Sequence, residues 1–175
     1  MGYNARPLEA PIARVNLVAK LLLPADVLVD LSVSSKKRLF EQVGLLFENN
    51  HGIARSVVFD SLFARERLGS TGLGQGVAIP HGRVKGLKEA KGAFVRLAQT
   101  VPFDAPDGNP VTLAFVLLVP EQATEKHLQI LSELAQMFSD KALREAMAKA
   151  PDAGALHQLI AAWQPDVAGQ RRAAA

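Results

Sequence analysis

VTLAFVLLV, residues 111–119, has a single polar side chain in nine and neither glycine nor proline. A strand with one face in water alternates apolar and polar residues, so a run this uniform predicts a central strand covered on both faces. That requires helices on both sides of a sheet, and the rest of the chain is read outward from this expectation.

Upstream, VLVDL (27–31) reads as a short strand, and Ser34 or Ser35 can cap a helix running to about Asn49. Its residues Leu39, Val43, Leu46 and Phe47 recur at the i, i+4, i+7, i+8 spacing of a buried face, and NNHG (49–52) stops it. Ser56 is the expected cap of a second helix carrying Val58, Phe59, Leu62 and Phe63 and ending at Gly69 in a left-handed cap. VAI (77–79) and AFVRLA (93–98) read as further strands, and PFDAPDGNP (102–110) as a turn. Downstream, Thr124 is the expected cap of a helix carrying Leu128, Leu131, Leu134, Ala135 and Phe138. Ser139 or Asp140 starts the next, and Asp152 the last, which runs to about Trp163. The order β, α, α, several β, α, α, α implies an α/β fold, a sheet sandwiched between helices.

The 175 residues are 49% hydrophobic, with a mean hydropathy of +0.11, enough for one domain with a real core. Residues 1–20, with Pro7 and Pro11 and no sustained periodicity, are expected to be an N-terminal arm, disordered or partly foreign to the native chain. Residues 21–164 form the expected domain and 165–175 a frayed tail. With no cysteine, disulfides, thiolate metal sites and cysteine nucleophiles are excluded. The first apolar run, LVAKLLLPADVLV, is interrupted by Lys20, Pro24 and Asp26, short of a membrane span. A cytoplasmic protein without membrane insertion is expected. Twenty basic against 17 acidic side chains, with 6% aromatics and no basic-aromatic stripe, argue against nucleic acid as the partner. A mildly positive surface suits an acidic or phosphorylated protein instead.

The stretch GSTGLGQGVAIPHGRVKG (69–86) holds six of the 13 glycines. It is not a nucleotide cradle: Val77 stands where a dinucleotide fingerprint needs its third glycine, no GK[ST] follows, and the loop enters a strand instead of leaving one. No G-x-S-x-G provides a serine nucleophile, and His51, His81, His127 and His157 show no ligand pairing for a metal. No metal and no cofactor are expected. Pro80 pushes Ile79 to an extended conformation, so VAIP reads as a strand end delivering His81 to a loop, with Gly82 removing bulk beside it. Composition alone is satisfied by a plain surface histidine. The local glycine favours instead an accessible imidazole, a good nucleophile toward phosphorus whose N–P bond stays reactive enough to pass the group on. His127, in the first turn of its helix, can place an anion at the positive helix end or be a boundary residue beside Leu131. Arg65 and Arg67 can fork phosphate oxygens or form a solvated helix end with Glu66. His51 reads as a helix-terminating residue and His157 as a helix-face residue.

LFARERLGSTGLGQGVAIPHGRV, VPFDAPDGNPVTLAFVLLVP and KHLQILSELAQMF together resemble the enzyme IIA family of the bacterial phosphoenolpyruvate-dependent phosphotransferase system, over about residues 17–163. Within it the chain is most similar to the nitrogen-regulatory branch, related to the fructose and mannitol IIA domains. The resemblance implies a single domain with a mixed sheet of about five strands and helices on both faces. It implies that His81, in the PHG motif, is the phosphorylated residue, on a nitrogen left open. His127, in HL-x-x-L, would be the second active-site histidine, and Arg65, opening RE-x-x-x-[ST], the phosphoryl contact. Gly82, Ser70, Thr71, Gln75 and Arg67 are the expected supporting residues. Gln75 stands where mannitol-type members carry an acidic residue and nitrogen-type members an amide. The implied partners are an HPr-like phosphocarrier downstream of an enzyme I homologue and, as regulated targets, potassium transport proteins or sensor kinases. Without an attached IIB or membrane IIC region a freestanding regulator is expected, as a monomer or weak dimer. A sugar-specific IIA domain donating to a IIB protein and a non-phosphorylated interaction module are the alternatives.

Overall fold

The apolar run becomes strand β6 (Val111–Pro120), and its residues divide between two cores by simple alternation. Leu113, Phe115, Leu117 and Val119 belong to one, Ala114, Val116 and Leu118 to the other. The computed structural model describes residues 16–122 and 125–164. Around β6 lies a mixed sheet of six strands: β1 (Val27–Leu31), β2 (Gly72–Gly74), β3 (Val77–Ala78), β4 (His81–Val84), β5 (Lys91–Val101) and β6 itself. The order is β1-β5-β6-β3-β2, with β4 also on β6. The β1–β5, β3–β6 and β4–β6 pairs are parallel, β5–β6 and β2–β3 antiparallel.

One core packs the sheet against α2 (Lys36–His51) and α3 (Arg55–Glu66). The other packs it against α1 (Leu17–Leu21), α4 (Glu125–Ser139), α5 (Lys141–Lys149) and α6 (Ala153–Ala162). Ser35, Asp140 and Asp152 each accept a hydrogen bond from a first-turn N–H of the helix they cap, and Gly52, at φ 68°, closes α2 in the left-handed region. Stacked Phe94 and Phe138, ring centroids 6.0 Å apart, tie β5 to α4.

Several local expectations are corrected. Helix α3 is not capped by Ser56: it begins at Arg55, whose N–H is taken by Glu48 Oε2 at 2.8 Å, so a carboxylate from α2 does the capping. It ends at Glu66 through a tightened turn, with Arg67 in a right-handed conformation and Gly69 at φ 153°, so Gly69 is no left-handed cap. The expected capping residue of α4, Thr124, lies outside the described residues. The buried face of α4 is His127, Ile130, Leu134, Met137 and Phe138, while Leu128 and Ala135 are exposed. Residues 16–20 of the expected arm are packed: Val18 is buried, and Asn16 caps α1 while its Nδ2 donates to Ile160 O and Trp163 O, both at 2.8 Å. His51 does more than end a helix. Its Nε2 lies 2.8 Å from the fully buried Asp26 carboxylate, which also accepts from Asn50.

Candidate functional site

Strands β3 and β4 lie along the same side of β6 in one unbroken register: Val77 opposes Leu113, Ala78 Ala114, His81 Leu117 and Val84 Pro120. They are one strand interrupted at Ile79 and Pro80, because proline has no N–H to donate to the ladder. Leu117 N still donates to Pro80 O at 2.9 Å, so the direction is kept. His81 therefore opens a strand and does not sit in a loop. By alternation it shares the sheet face of Val77 and Ile79, the α4 side.

Ile79 faces away from β6, giving its N–H to Thr71 O at 3.0 Å, and its carbonyl accepts from His81 Nδ1–H at 2.9 Å. A carbonyl can only accept, so this bond fixes the proton on Nδ1 and leaves the lone pair of the neutral ring on Nε2. The ring is half-buried. Burial holds its pKa below the ordinary 6.5, the Arg65 charge lowers it further, and the Ile79 bond and the Glu66 charge oppose them. At neutral pH the imidazole is uncharged.

His81, Arg65 and His127 line one open cavity of about 480 Å³, with Leu68, Leu128 and Leu131 on its walls. Arg65, from the last turn of α3, donates from Nη1 to Gly69 O at 2.8 Å. His127, from the first turn of α4, is only 8% exposed, so its ring is part of the cavity wall. A smaller adjoining cavity of about 190 Å³ brings Ser70 and Thr71 to His81 and Arg65. Ser70 Oγ donates to Phe103 O and accepts from Gly72 N, which fixes the loop. Thr71 donates its N–H and hydroxyl to Glu66, at 3.1 and 2.6 Å, and Lys36 Nζ pairs with the same carboxylate at 2.8 Å. The partner of Glu66 is thus Lys36, not an arginine.

Gly82 lies in the main cavity wall, but its absent side chain does not open it. A Cβ there would come within 2.1 Å of Ser61 Oγ and 2.8 Å of Ser61 C and O, so the glycine lets β4 press against α3. Two expected supporting residues lie elsewhere. Arg67 is exposed and lines neither cavity, and Gln75, at φ 58° in the β2–β3 turn, gives its N–H to Asp107 and lines a separate cavity with Phe138 and Arg144. The exposed Leu68 and Leu128, 84% and 67% accessible, were not anticipated, because helical periodicity reads a leucine as core. Among the described residues no three His, Asp or Glu side chains converge as a metal site.

Residues 20–163 match the family model described as phosphoenolpyruvate-dependent sugar phosphotransferase system, EIIA 2. The chain belongs to this EIIA type 2 family. The family acts in phosphotransfer, which accords with a neutral, oriented imidazole on a cavity that also presents a guanidinium. This EIIA type 2 chain is 44% identical over 142 residues to a nitrogen regulatory protein of Pseudomonas aeruginosa, covering 81% of this chain and 92% of the relative. The crystal structure of nitrogen regulatory protein IIA-Ntr from Neisseria meningitidis superposes with a TM-score of 0.79 at 52% identity, covering 83% of this chain and 99% of that one. Mannitol IIA of Escherichia coli, at 18% identity and a TM-score of 0.65 over 78% of this chain and 96% of that one, shares the fold. Among the described residues no helix is long and apolar enough to cross a membrane.

Proposed function

We propose that this EIIA type 2 domain is a nitrogen-regulatory phosphocarrier whose His81 accepts a phosphoryl group from the phosphohistidine of an HPr-like protein. The observation that carries the reading is the Nδ1–H bond to Ile79 O on a half-buried, uncharged ring. It supports Nε2 as the nucleophile. As the new Nε2–P bond forms, the N–P bond of the donor breaks and its electron pair returns to the donor imidazole. His81 keeps its Nδ1 proton on Ile79 O, and the ring becomes formally cationic beside the phosphoryl anion. Arg65 supplies donors for the phosphoryl oxygens, and His127 closes the opposite wall of the cavity. Ser70, Thr71, Gly82 and the Glu66–Lys36 pair hold the backbone that carries these groups. Output is by proteins that bind one phosphorylation state in preference to the other, in line with the naming of the relatives in Pseudomonas and Neisseria.

The test is labelling from phosphoenolpyruvate through an enzyme I homologue and an HPr-like carrier. Wild type gains an acid-labile, base-stable label on the Nε2 atom of one histidine, read by nitrogen-edited NMR, and His81→Ala gains none. Undiminished labelling of that variant overturns the assignment. Discharge of the phosphorylated protein onto a IIB acceptor would instead identify a sugar-specific domain.

A further inference from the structure

His127 lines a second cavity as well. It holds about 510 Å³ and lies between α1, the turn joining β4 to β5, the end of β6 and the first turns of α4. Lys20 from α1, Lys88 from the turn and Lys126 from α4 all line it, against a single carboxylate, Glu89. All three lysines are exposed, and among the described residues none of them is in an ion pair. Three ammonium groups from three separate elements directed into one concavity repel one another and raise the local concentration of anions. The floor is apolar: Ile130 belongs to the core between α1, α4 and the sheet, and the partly buried Leu17 and Leu21 pack against it.

We infer that this cavity binds a nucleotide-sized organic phosphate, its charged end held by Lys20, Lys88 and Lys126 and its ring lying on the floor formed by Leu17, Leu21 and Ile130. The volume is within the usual 300 to 1,000 Å³ of small-ligand sites, roughly. Lysines suit a phosphate as mobile point charges, and an apolar floor distinguishes an organic phosphate from a bare one. Such a ligand would touch His127, which also lines the phosphoryl cavity, giving the domain a metabolite contact within one side chain of its reactive site.

The test is isothermal titration of the unphosphorylated full chain with ADP and with pyrophosphate, so it does not depend on His81 accepting a phosphoryl group. ADP is expected to bind with submillimolar affinity and at least tenfold more tightly than pyrophosphate. The triple variant Lys20→Gln, Lys88→Gln, Lys126→Gln is expected to lose at least tenfold in affinity for ADP. Its matched control, Lys37→Gln, Lys141→Gln, Lys149→Gln, removes the same charge from exposed positions away from the cavity and is expected to bind within twofold of wild type. Amide shifts are expected at Lys20, Lys88 and Lys126. Absence of ADP binding, pyrophosphate binding as tightly as ADP, or equal loss in the control variant would each overturn the inference.

Discussion

Gly82→Ala tests whether the reactive strand is positioned by its contact with α3. The added Cβ meets Ser61 Oγ at 2.1 Å, which a rotation of that hydroxyl can relieve, but also Ser61 C and O at 2.8 Å, where ordinary contact begins at 3.4 Å. Backbone cannot rotate away, so β4 and α3 must separate. Overpacking of this kind costs about 1–3 kcal/mol, which for a domain of this size is a fall in Tm of about 2–12 °C at about 2–4 °C per kcal/mol. His81 is the residue next to the inserted methyl, and a displacement approaching 1 Å at a reacting group costs up to about a hundredfold in rate. Differential scanning calorimetry and stopped labelling measure the two effects on one sample. Adding Ser61→Ala removes only the Oγ contact and, with it, the hydroxyl's bond to Arg83 O, so it should not restore wild-type behaviour. A Gly82→Ala protein with wild-type Tm and labelling rate would refute the view that this glycine serves close packing.

Because His81 titrates below 6.5, the acceptor stays neutral as pH falls past that value, and the labelling rate should drop only at lower pH. Arg65→Gln removes a charge that lowers this pKa, so the inflection should move up toward 6.5; an NMR titration of the ring that shows wild type at or above 6.5 would contradict the burial argument. The same shift means that stability contributed by the neutral ring is lost as pH falls from 6.5 through the folded value, since the unfolded chain binds the proton more readily. Glu66→Ala takes the nearer carboxylate from Lys36, leaving it Phe103 O at 3.3 Å and Asp104 at 3.9 Å, and leaves two Thr71 donors unsatisfied, at a cost of about 3 kcal/mol; urea unfolding measures it. Asn16→Ala removes the cap of α1 and the donor to the Ile160 and Trp163 carbonyls at the end of α6, for about 2 kcal/mol, with hydrogen exchange at Val18 rising accordingly. His127→Gln should lower the labelling rate or the lifetime of the phosphohistidine, and since the ring is buried it should also lower Tm, whereas an unchanged rate and lifetime would remove His127 from the site.

The sandwich was legible because VTLAFVLLV carries its own environment: only a strand covered on both faces buries every residue of such a run. Caps supplied by the residue just before a helix, Ser35, Asp140 and Asp152, were legible for the same local reason. What was not legible came from contacts distant in sequence. Glu48 caps α3 from another helix, and Glu66 chooses Lys36, 30 residues away, over the arginines beside it. The helical face of α4 was misjudged because Leu128 and Ala135 fit a period that the packing uses elsewhere. At the site, the PHG motif directed attention to His81, but the character of its surroundings was inverted: the glycine beside it marks a backbone pressed on a helix and not cleared space. The tautomer of His81 had no sequence signal: it is set by the Ile79 carbonyl, which faces away from β6 and accepts from the ring two residues on.

The shared register of β3 and β4 also sets what this region can tolerate in length. Side chains alternate across a sheet, so losing or gaining one residue between Ala78 and His81, with β3 fixed on β6 and the strand running on in the same register, would move the imidazole from Leu117 to Val116 or Leu118 and turn it through the sheet. It would then face Ser61 on α3, walled off from His127 and from any incoming phosphate. Substitution in this segment can be graded, but a change of length by one has only two outcomes, and parity decides between them.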